Sequence, residues 1–324
     1  MKNYPAKLLL LGEHTVNVGS RALALPLPLF SGKWAYAPHL GPDELAARQM
    51  KLPQLAYYLE QLQQRGQLLA QLDTAAFKQE LAKGLVFESN IPTGYGAGSS
   101  GALVAAVLGN RRFTPVNWGI GNWDIEDSSL SELKQALAQM EAFFHGTSSG
   151  TDPLICFLQK PVLLGGPSGN VTLAALPKSF CWLDNAQLPP KGSHTIFLLD
   201  TGKPRNAAEF IDYFLKKMEG ITFKARCQMS LNLDVDKAID AFLDGDGKRL
   251  FGQVHNIGLF QLRFLPRLIP PKFHPLWKLG LEGDLFKLKV CGAGGGGFLL
   301  GITKDFETTK VTLAKHKLLP IMAI

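Results

Sequence analysis

Ile91-Pro92-Thr93-Gly94-Tyr95-Gly96-Ala97-Gly98-Ser99-Ser100-Gly101-Ala102-Leu103 is the stretch of this chain best suited to chemistry. Glycines alternate at Gly94, Gly96 and Gly98, and two hydroxyls then lead into an apolar, alanine-rich run over 102–108. Glycine tolerates positive φ and lets a ligand touch the backbone. The run beyond predicts a buried helix, whose first turn has free N–H groups and the positive end of the dipole. A loop of this kind feeding a helix N-terminus is an anion site, most often for phosphate.

Other reactive groups are scattered along the chain. Lys7 opens an apolar run that ends in Gly12-Glu13-His14, Glu141 falls near the end of a helical pattern, and Asp152 lies in His145-Gly146-Thr147-Ser148-Ser149-Gly150-Thr151-Asp152-Pro153. A second glycine run, Gly292-Ala293-Gly294-Gly295-Gly296-Gly297, follows late. Taken singly, each has a plain structural reading. Lys7 is then a snorkelling lysine, Glu13 and His14 a solvated turn, Glu141 a boundary carboxylate and Asp152 a turn former before proline. The second glycine run is either part of a site floor or a tight turn.

The elements that must position these groups follow from periodicity. Residues 6–14 read as a buried strand ending in a polar turn, and 16–29 as a returning strand of a hairpin turning at Gly19-Ser20. Leu55, Leu59, Leu62 and Leu69 mark a helix, and Asp73 caps another through Leu81. Residues 85–87 predict a strand delivering the chain to the glycine loop, and 110–129 a surface loop. Ser131 caps a helix to His145 striped by Leu133, Leu137, Met140 and Phe144. Residues 147–153 then read as a tight polar loop. Short strands are expected at 162–164 and 171–175, joined by a turn over 165–169. Pro189-Pro190-Lys191-Gly192 marks the domain boundary, so that 1–190 and 191–324 form two lobes. Further on, 194–199 is a strand, 207–218, 236–243 and 248–260 are helical, and 288–302 is strand, glycine turn, strand.

The bulk composition limits the rest. The 324 residues, 46% hydrophobic and 19% charged, suit a globular chain with a sizeable core. The formal net charge of +7 favours an anionic ligand, but no dense Lys/Arg run supports nucleic acid. Four scattered cysteines read as reduced thiols of a cytoplasmic protein, and no apolar run reaches the length of a membrane span. Gly-x4-Gly-Lys-Ser/Thr is absent, and the late glycine run leads into a strand-like segment where a dinucleotide fold needs a helix.

Taken together and in this order, the lysine strand with Gly-Glu-His, the Gly-x-Gly-x-Gly-Ser-Ser loop and the late glycine run resemble the GHMP kinase superfamily, and within it the mevalonate kinases. His145 to Asp152 fits every fixed position of the superfamily's His-Gly-x-x-Ser-Gly-x-Asp motif. Galactokinases carry Asp-Tyr where this chain has Val16-Asn17, which lowers a sugar-kinase reading.

The resemblance implies an α+β, two-lobed fold. The N-terminal lobe is expected to be ribosomal-protein-S5-like and the C-terminal lobe ferredoxin-like, with the site in the cleft between. It implies an ATP- and Mg²⁺-dependent phosphotransferase acting on a small alcohol, with mevalonate the leading acceptor, and admits a homodimer. Pro92, Gly94, Gly96, Ala97, Gly98, Ser99 and Ser100 are expected to cradle the triphosphate. Ser100 and Glu141 become the Mg²⁺ pair, and Asp152 the group that accepts or orients the substrate hydroxyl, with Lys7 beside it. Glu13, His14 and Gly294 border the acceptor, His14 as a donor to a substrate carboxylate.

The chain departs from the mevalonate kinase pattern in three segments. Ala97 stands for Leu and Gly101 for Ala, Pro153 follows the Asp in place of Asn, and Pro204-Arg205-Asn206-Ala207 lacks a hydroxyl. These leave the acceptor open to phosphomevalonate, homoserine or a sugar. A diphosphomevalonate decarboxylase-like enzyme and a silent nucleotide-binding regulator are the rivals from other classes.

Overall fold

The computed structural model describes residues 2–115, 127–165, 170–183 and 189–324. In chain order these form β1 (Asn3–Leu11), β2 (Arg21–Tyr36), α1 (Pro42–Gln49), α2 (Leu52–Gln64), α3 (Thr74–Ala82), β3 (Leu85–Ser89), α4 (Ser99–Leu108), α5 (Asp127–His145) and α6 (Thr151–Leu158). There follow β4 (Val162–Gly165), β5 (Val171–Leu173), β6 (Cys181–Trp182), β7 (Thr195–Asp200), α7 (Ala207–Met218), α8 (Ile221–Arg226), α9 (Asn232–Leu243), α10 (Gly247–Phe264), α11 (His274–Glu282), β8 (Phe286–Val290), β9 (Phe298–Thr303), α12 (Phe306–Thr312) and β10 (Leu318–Ala323). The mixture is α+β, as expected. No described helix is long and apolar enough to cross a membrane.

The chain compacts into two units that interleave in sequence. The first comprises Met1–Leu8, Leu25–Pro92 and Ala97–Lys160, and the second Leu9–Ala24, Thr93–Gly96 and Pro161–Ile324. The sequence reading instead cuts the chain once, after residue 190. A Pro/Gly cluster marks a change of element, whereas compaction follows which segments pack together, and β1 and β2 each run from one unit into the other.

In the first unit, residues Gly32–Tyr36 of β2 pair antiparallel with Ser89–Leu85 of β3. Trp34 projects from this pair into a cluster with Phe77, Phe87 and Phe113, and its indole N–H is satisfied by the Ala106 carbonyl at 2.9 Å. Helix α4 is buried almost all round from Ala102 to Leu108, and packs against α5 and α6. Small alanines at 102, 105 and 106 let these helices come close without voids. Asp73 caps α3, accepting from Ala76 N at 2.8 Å, as its sequence position predicted.

The second unit holds a five-stranded sheet of order β6-β10-β7-β9-β8, antiparallel throughout. Helices α9 and α10 pack on each other, and α10 and α11 cover β8. The same unit contains β4, paired to Arg21–Ala24 of β2, with β5 on its far side. Arg21 donates to Asp240 at 2.7 Å and to Asp236 at 3.3 Å, tying the start of β2 to α9.

Several expectations need correction. Residues 151–158 are a helix rather than the end of a polar loop, because Thr151, Asp152 and Pro153 fill a first turn, where proline's missing N–H costs nothing. Helix α5 starts at Asp127, so the loop predicted over 110–129 ends earlier; residues 116–126 lie outside the described residues, as do 166–169 of the predicted turn. Helix α2 stops at Gln64, and Leu69 is exposed. Strand β10, between β6 and β7, has no counterpart in the sequence reading, and its Pro320 is unusual in a strand paired on both sides. A register shift between Pro320 and Met322 accommodates it.

Candidate functional site

In the first unit, the site is built where three elements converge on the N-terminus of α4. Gly98 takes φ 78° and caps α4 without any side-chain hydrogen bond, so the first-turn N–H groups face no competing cap. The preceding carbonyl, that of Ala97, accepts from Lys7 N at 2.9 Å and pins the loop to β1. A β-carbon on residue 98 would stand 2.7 Å from Cγ of Lys7, so only glycine lets that side chain cross the loop. Lys7 crosses it to reach Asp152, Nζ to Oδ1 2.8 Å, with 8% of the lysine and 34% of the carboxylate side chain exposed.

Asp152 is placed by the contact between α4 and α6. A β-carbon on Gly101 would lie 2.8 Å from the nitrogen of Pro153 and 2.9 Å from the carbonyl carbon of Asp152. Glycine at 101 therefore admits the first turn of α6 against the first turn of α4. The carboxylate ends one residue into α6, where a negative charge is favoured by the helix dipole.

Glu141 completes the cluster. It is 4% exposed, not the water-facing boundary carboxylate of the plain reading. Its Oε1 accepts from Ser100 Oγ at 2.9 Å and its Oε2 from Ser148 Oγ at 2.5 Å. Ser100 Oγ also lies 3.1 Å from Nε2 of His145. Burial, and next the charge of Asp152, push the Glu141 carboxyl above its ordinary range, against hydrogen bonds from Ser148 and Ser100.

These residues fit a divalent cation. The donors are hard oxygens, and the negative charge that burial and neighbouring Asp152 disfavour at Glu141 is what a cation would offset. Among the described residues no group of three or more His, Cys, Asp or Glu side chains is arranged to hold a metal. Phosphate oxygens and water would have to supply the remaining ligands.

The second unit carries the other predicted residues. Glu13 has its carboxylate on Lys289, whose ammonium also donates to the carbonyls of Leu10 (2.9 Å) and Val290 (2.8 Å). Both side chains are almost wholly buried, and burial pushes the Glu13 carboxyl up while Lys289 and Gly292 N–H oppose it. His14 sits 4.9 Å from the Phe214 ring, and burial lowers its pKa to about 4. At neutral pH it is an uncharged ring, and its Nε2 has no hydrogen-bond partner among the described residues.

Arg205 organises the two glycine runs of this unit. Its backbone N–H donates to the Gly94 carbonyl at 3.0 Å, and its Nη1 donates to the carbonyls of Cys291 (2.6 Å) and Gly296 (3.3 Å). A β-carbon on Gly96 would fall 1.9 Å from Nη2, and one on Gly292 2.3 Å from it. The glycines at 96 and 292 thus leave room for one guanidinium. Gly294 backs onto Leu268, where a β-carbon would lie 2.9 Å from its carbonyl oxygen, and the N–H groups of Gly295 and Gly297 are spent on Leu268 and Lys203. In this unit the late glycine run is a tight turn bonded to Leu268 and Lys203.

Of the residues singled out from sequence, Lys7, Ala97, Gly98, Ser99, Ser100, Glu141 and Asp152 come together in the first unit, which also contains Pro92. Gly94, Gly96, Glu13, His14 and Gly294 belong to the second. Sequence reasoning missed Ser148, Lys289 and Arg205 as organisers. For Lys289 the signal was available: a lysine between Leu288 and Val290, next to a glycine turn, needs a buried partner.

The GHMP kinases N terminal domain family matches residues 57–160. A mevalonate kinase of Thermococcus onnurineus (strain NA1) is 27% identical over 332 residues, covering 96% of this chain and 92% of that protein. Among solved structures, L. major mevalonate kinase in complex with R-mevalonate superposes with a TM-score of 0.60 at 16% identity, covering 99% of this chain and 95% of that one. Streptococcus pneumoniae phosphomevalonate kinase in complex with phosphomevalonate and AMPPNP gives 0.61 at 14% identity, with 99% of both chains covered.

Proposed function

We propose that this chain, matched by the GHMP kinases N terminal domain family, transfers the γ-phosphoryl group of ATP to an alcohol, with mevalonate the acceptor and 5-phosphomevalonate the product. The observation that carries the reading is the Lys7–Asp152 pair, 2.8 Å apart and set against the first turn of α4 by Gly98 and Gly101. It brings a carboxylate and a cation to the end of a helix suited to phosphate.

The geometry supports the following division of labour. The uncapped first turn of α4, with Ser99 and Ser100, holds phosphate oxygens by backbone N–H groups and dipole. Pro92, Ala97 and Gly98 shape the approach to it, and Gly94 and Gly96 are assigned to the same glycine loop by sequence. Ser100 and Glu141 would hold Mg²⁺, which when bound neutralises charge on the phosphate oxygens. Asp152 orients the substrate hydroxyl and accepts its proton as the oxygen attacks phosphorus. Lys7 stabilises negative charge developing beside Asp152. Glu13, His14 and Gly294 are assigned to the acceptor side, Glu13 through its hold on Lys289. His14, being uncharged, offers a neutral ring nitrogen in place of a cation for a carboxylate. Residues 1–190 carry every group assigned to phosphoryl transfer.

The test is ADP release by purified protein with ATP and Mg²⁺ across mevalonate, phosphomevalonate, homoserine and galactose. Turnover with mevalonate well above the others is expected. Good turnover of another acceptor with none of mevalonate would replace the substrate, and none with any alcohol would remove the kinase reading.

A further inference from the structure

A cavity of ≈180 Å³ in the first unit lies at the opposite end of α4 from the phosphate loop, where Gly109 ends the helix. Its walls include Trp34 and Tyr36 of β2, Tyr4 and Lys2 from the start of the chain, and Arg111 and Arg112 just beyond α4. No group there belongs to the machinery assigned above.

Three features of this cavity point to a ligand. Tyr4 is 2% exposed, yet its hydroxyl has no hydrogen-bond partner among the described residues. Burial pushes its pKa up to about 12, so it remains a hydrogen-bond donor. That hydroxyl rests over Gly109, where a β-carbon would stand 2.4 Å away and close this end of the cavity. Lys2 and Arg111 form no ion pair among the described residues, and burial, then the charge of Arg111, lower the pKa of Lys2. Arg112, by contrast, is already held by Glu80 at 3.4 Å and lies over the Tyr36 ring, 5.5 Å from its centroid.

A helix C-terminus favours nearby cations, and this accounts for Arg111 and Arg112 following α4. It does not account for Lys2, which arrives from another segment, nor for the open hydroxyl of Tyr4. Lys2 and Arg111, without a carboxylate among the described residues, and the unpartnered Tyr4 hydroxyl on the cavity wall are jointly satisfied by an oxyanion. The Trp34 indole N–H is spent on Ala106, so the indole offers only apolar surface.

We propose that this cavity binds a small phosphate monoester, its phosphate held by Lys2, Arg111 and the Tyr4 hydroxyl and its organic part against Trp34. A dianion matches the two cations, Lys2 and Arg111, better than a monoanionic carboxylate, and an apolar or flat organic part matches the wall.

Phenyl phosphate is the probe, with benzoate and inorganic phosphate as comparisons. Binding is followed by calorimetry with saturating AMPPNP present, on the wild type, on Ser100→Ala, on the double variant Lys2→Gln/Arg111→Gln and on Tyr4→Phe. The substituted cations are exposed, so circular dichroism should show the fold retained. Phenyl phosphate should bind one equivalent in the wild type and Ser100→Ala, more tightly than benzoate or inorganic phosphate. The double variant should weaken it by about tenfold or more, and Tyr4→Phe by a smaller factor. The proposal fails if nothing binds or if benzoate binds as well as phenyl phosphate. It fails equally if Ser100→Ala abolishes binding while the double variant leaves it unchanged.

Discussion

Gly101 and Asp152 are close-packed: the missing side chain of Gly101 leaves the space in which Asp152 begins α6. A methyl group at 101 would lie 2.8–2.9 Å from backbone atoms of Asp152 and Pro153, which cannot swing aside as a side-chain end can. Gly101→Ala is therefore expected to destabilise the protein by about 1–3 kcal/mol and to displace the carboxylate. The kcat for phosphoryl transfer should fall much more than ATP affinity. Wild-type kcat and stability in this variant would show that α6 has room the geometry denies it.

Asp152→Ala removes the proton acceptor but none of the groups assigned to phosphate. Turnover should drop by about 10²–10⁴-fold. Nucleotide affinity, read by equilibrium binding of AMPPNP, should stay within a few-fold. Near-wild-type turnover would take Asp152 out of the chemistry.

Glu141 should link Mg²⁺ to pH. Its carboxyl lies above the ordinary range in the fold, so the folded state keeps a proton that the unfolded chain has released. Stability from this group therefore declines as pH rises from the ordinary carboxylate range through the raised value. A bound cation should reverse that decline. Glu141→Gln should flatten this part of the pH–stability curve and abolish the added thermal shift given by Mg²⁺ with ATP. Retention of the full Mg²⁺-dependent shift would rule Glu141 out as a ligand.

His14 gives the opposite slope. Its folded pKa of about 4 lies below the ordinary 6.5, so the unfolded chain takes up a proton that the fold refuses. The stabilisation is complete above the ordinary value and is lost as pH falls through about 4, amounting to about 3 kcal/mol. Denaturant midpoints measured at about pH 7.5 and about pH 4.5 should differ less in His14→Gln than in the wild type. Equal losses in both would show that some other group is responsible.

The pair Glu13–Lys289 is buried on both sides. Lys289→Met alone leaves a carboxylate without its cation and should cost about 3–5 kcal/mol. Adding Glu13→Gln should recover part of that loss, because the uncompensated charge is then gone. A double variant as unstable as the single would mean that packing, not charge, dominates the site.

Much of the site was legible in one dimension. The alternation of Gly94, Gly96 and Gly98 before two serines, and the apolar run after them, foretold a helix N-terminus open to an anion, because backbone freedom and helix polarity are local properties. Strands and helices with clean periodicity, such as β7, α7 and α10, were read for the same reason. Where one residue contradicted its context the reading failed: Pro153 disguised the first turn of α6 as a loop.

The partners of the charged groups were not legible, since nothing in the order of residues states what a side chain faces. Glu141 could be a surface carboxylate until burial and two serine hydroxyls enclosed it, and Lys289 could be a stray cation until Glu13 met it. The sequence alone determined which segments could grip phosphate and which residue types were available to react. Only the tertiary structure decided that Lys7 lies on Asp152 and that Ser100 is shared by Glu141 and His145. Those contacts join residues far apart in sequence, and they depend on the close approach permitted at Gly98 and Gly101, a matter of packing and not of sequence pattern.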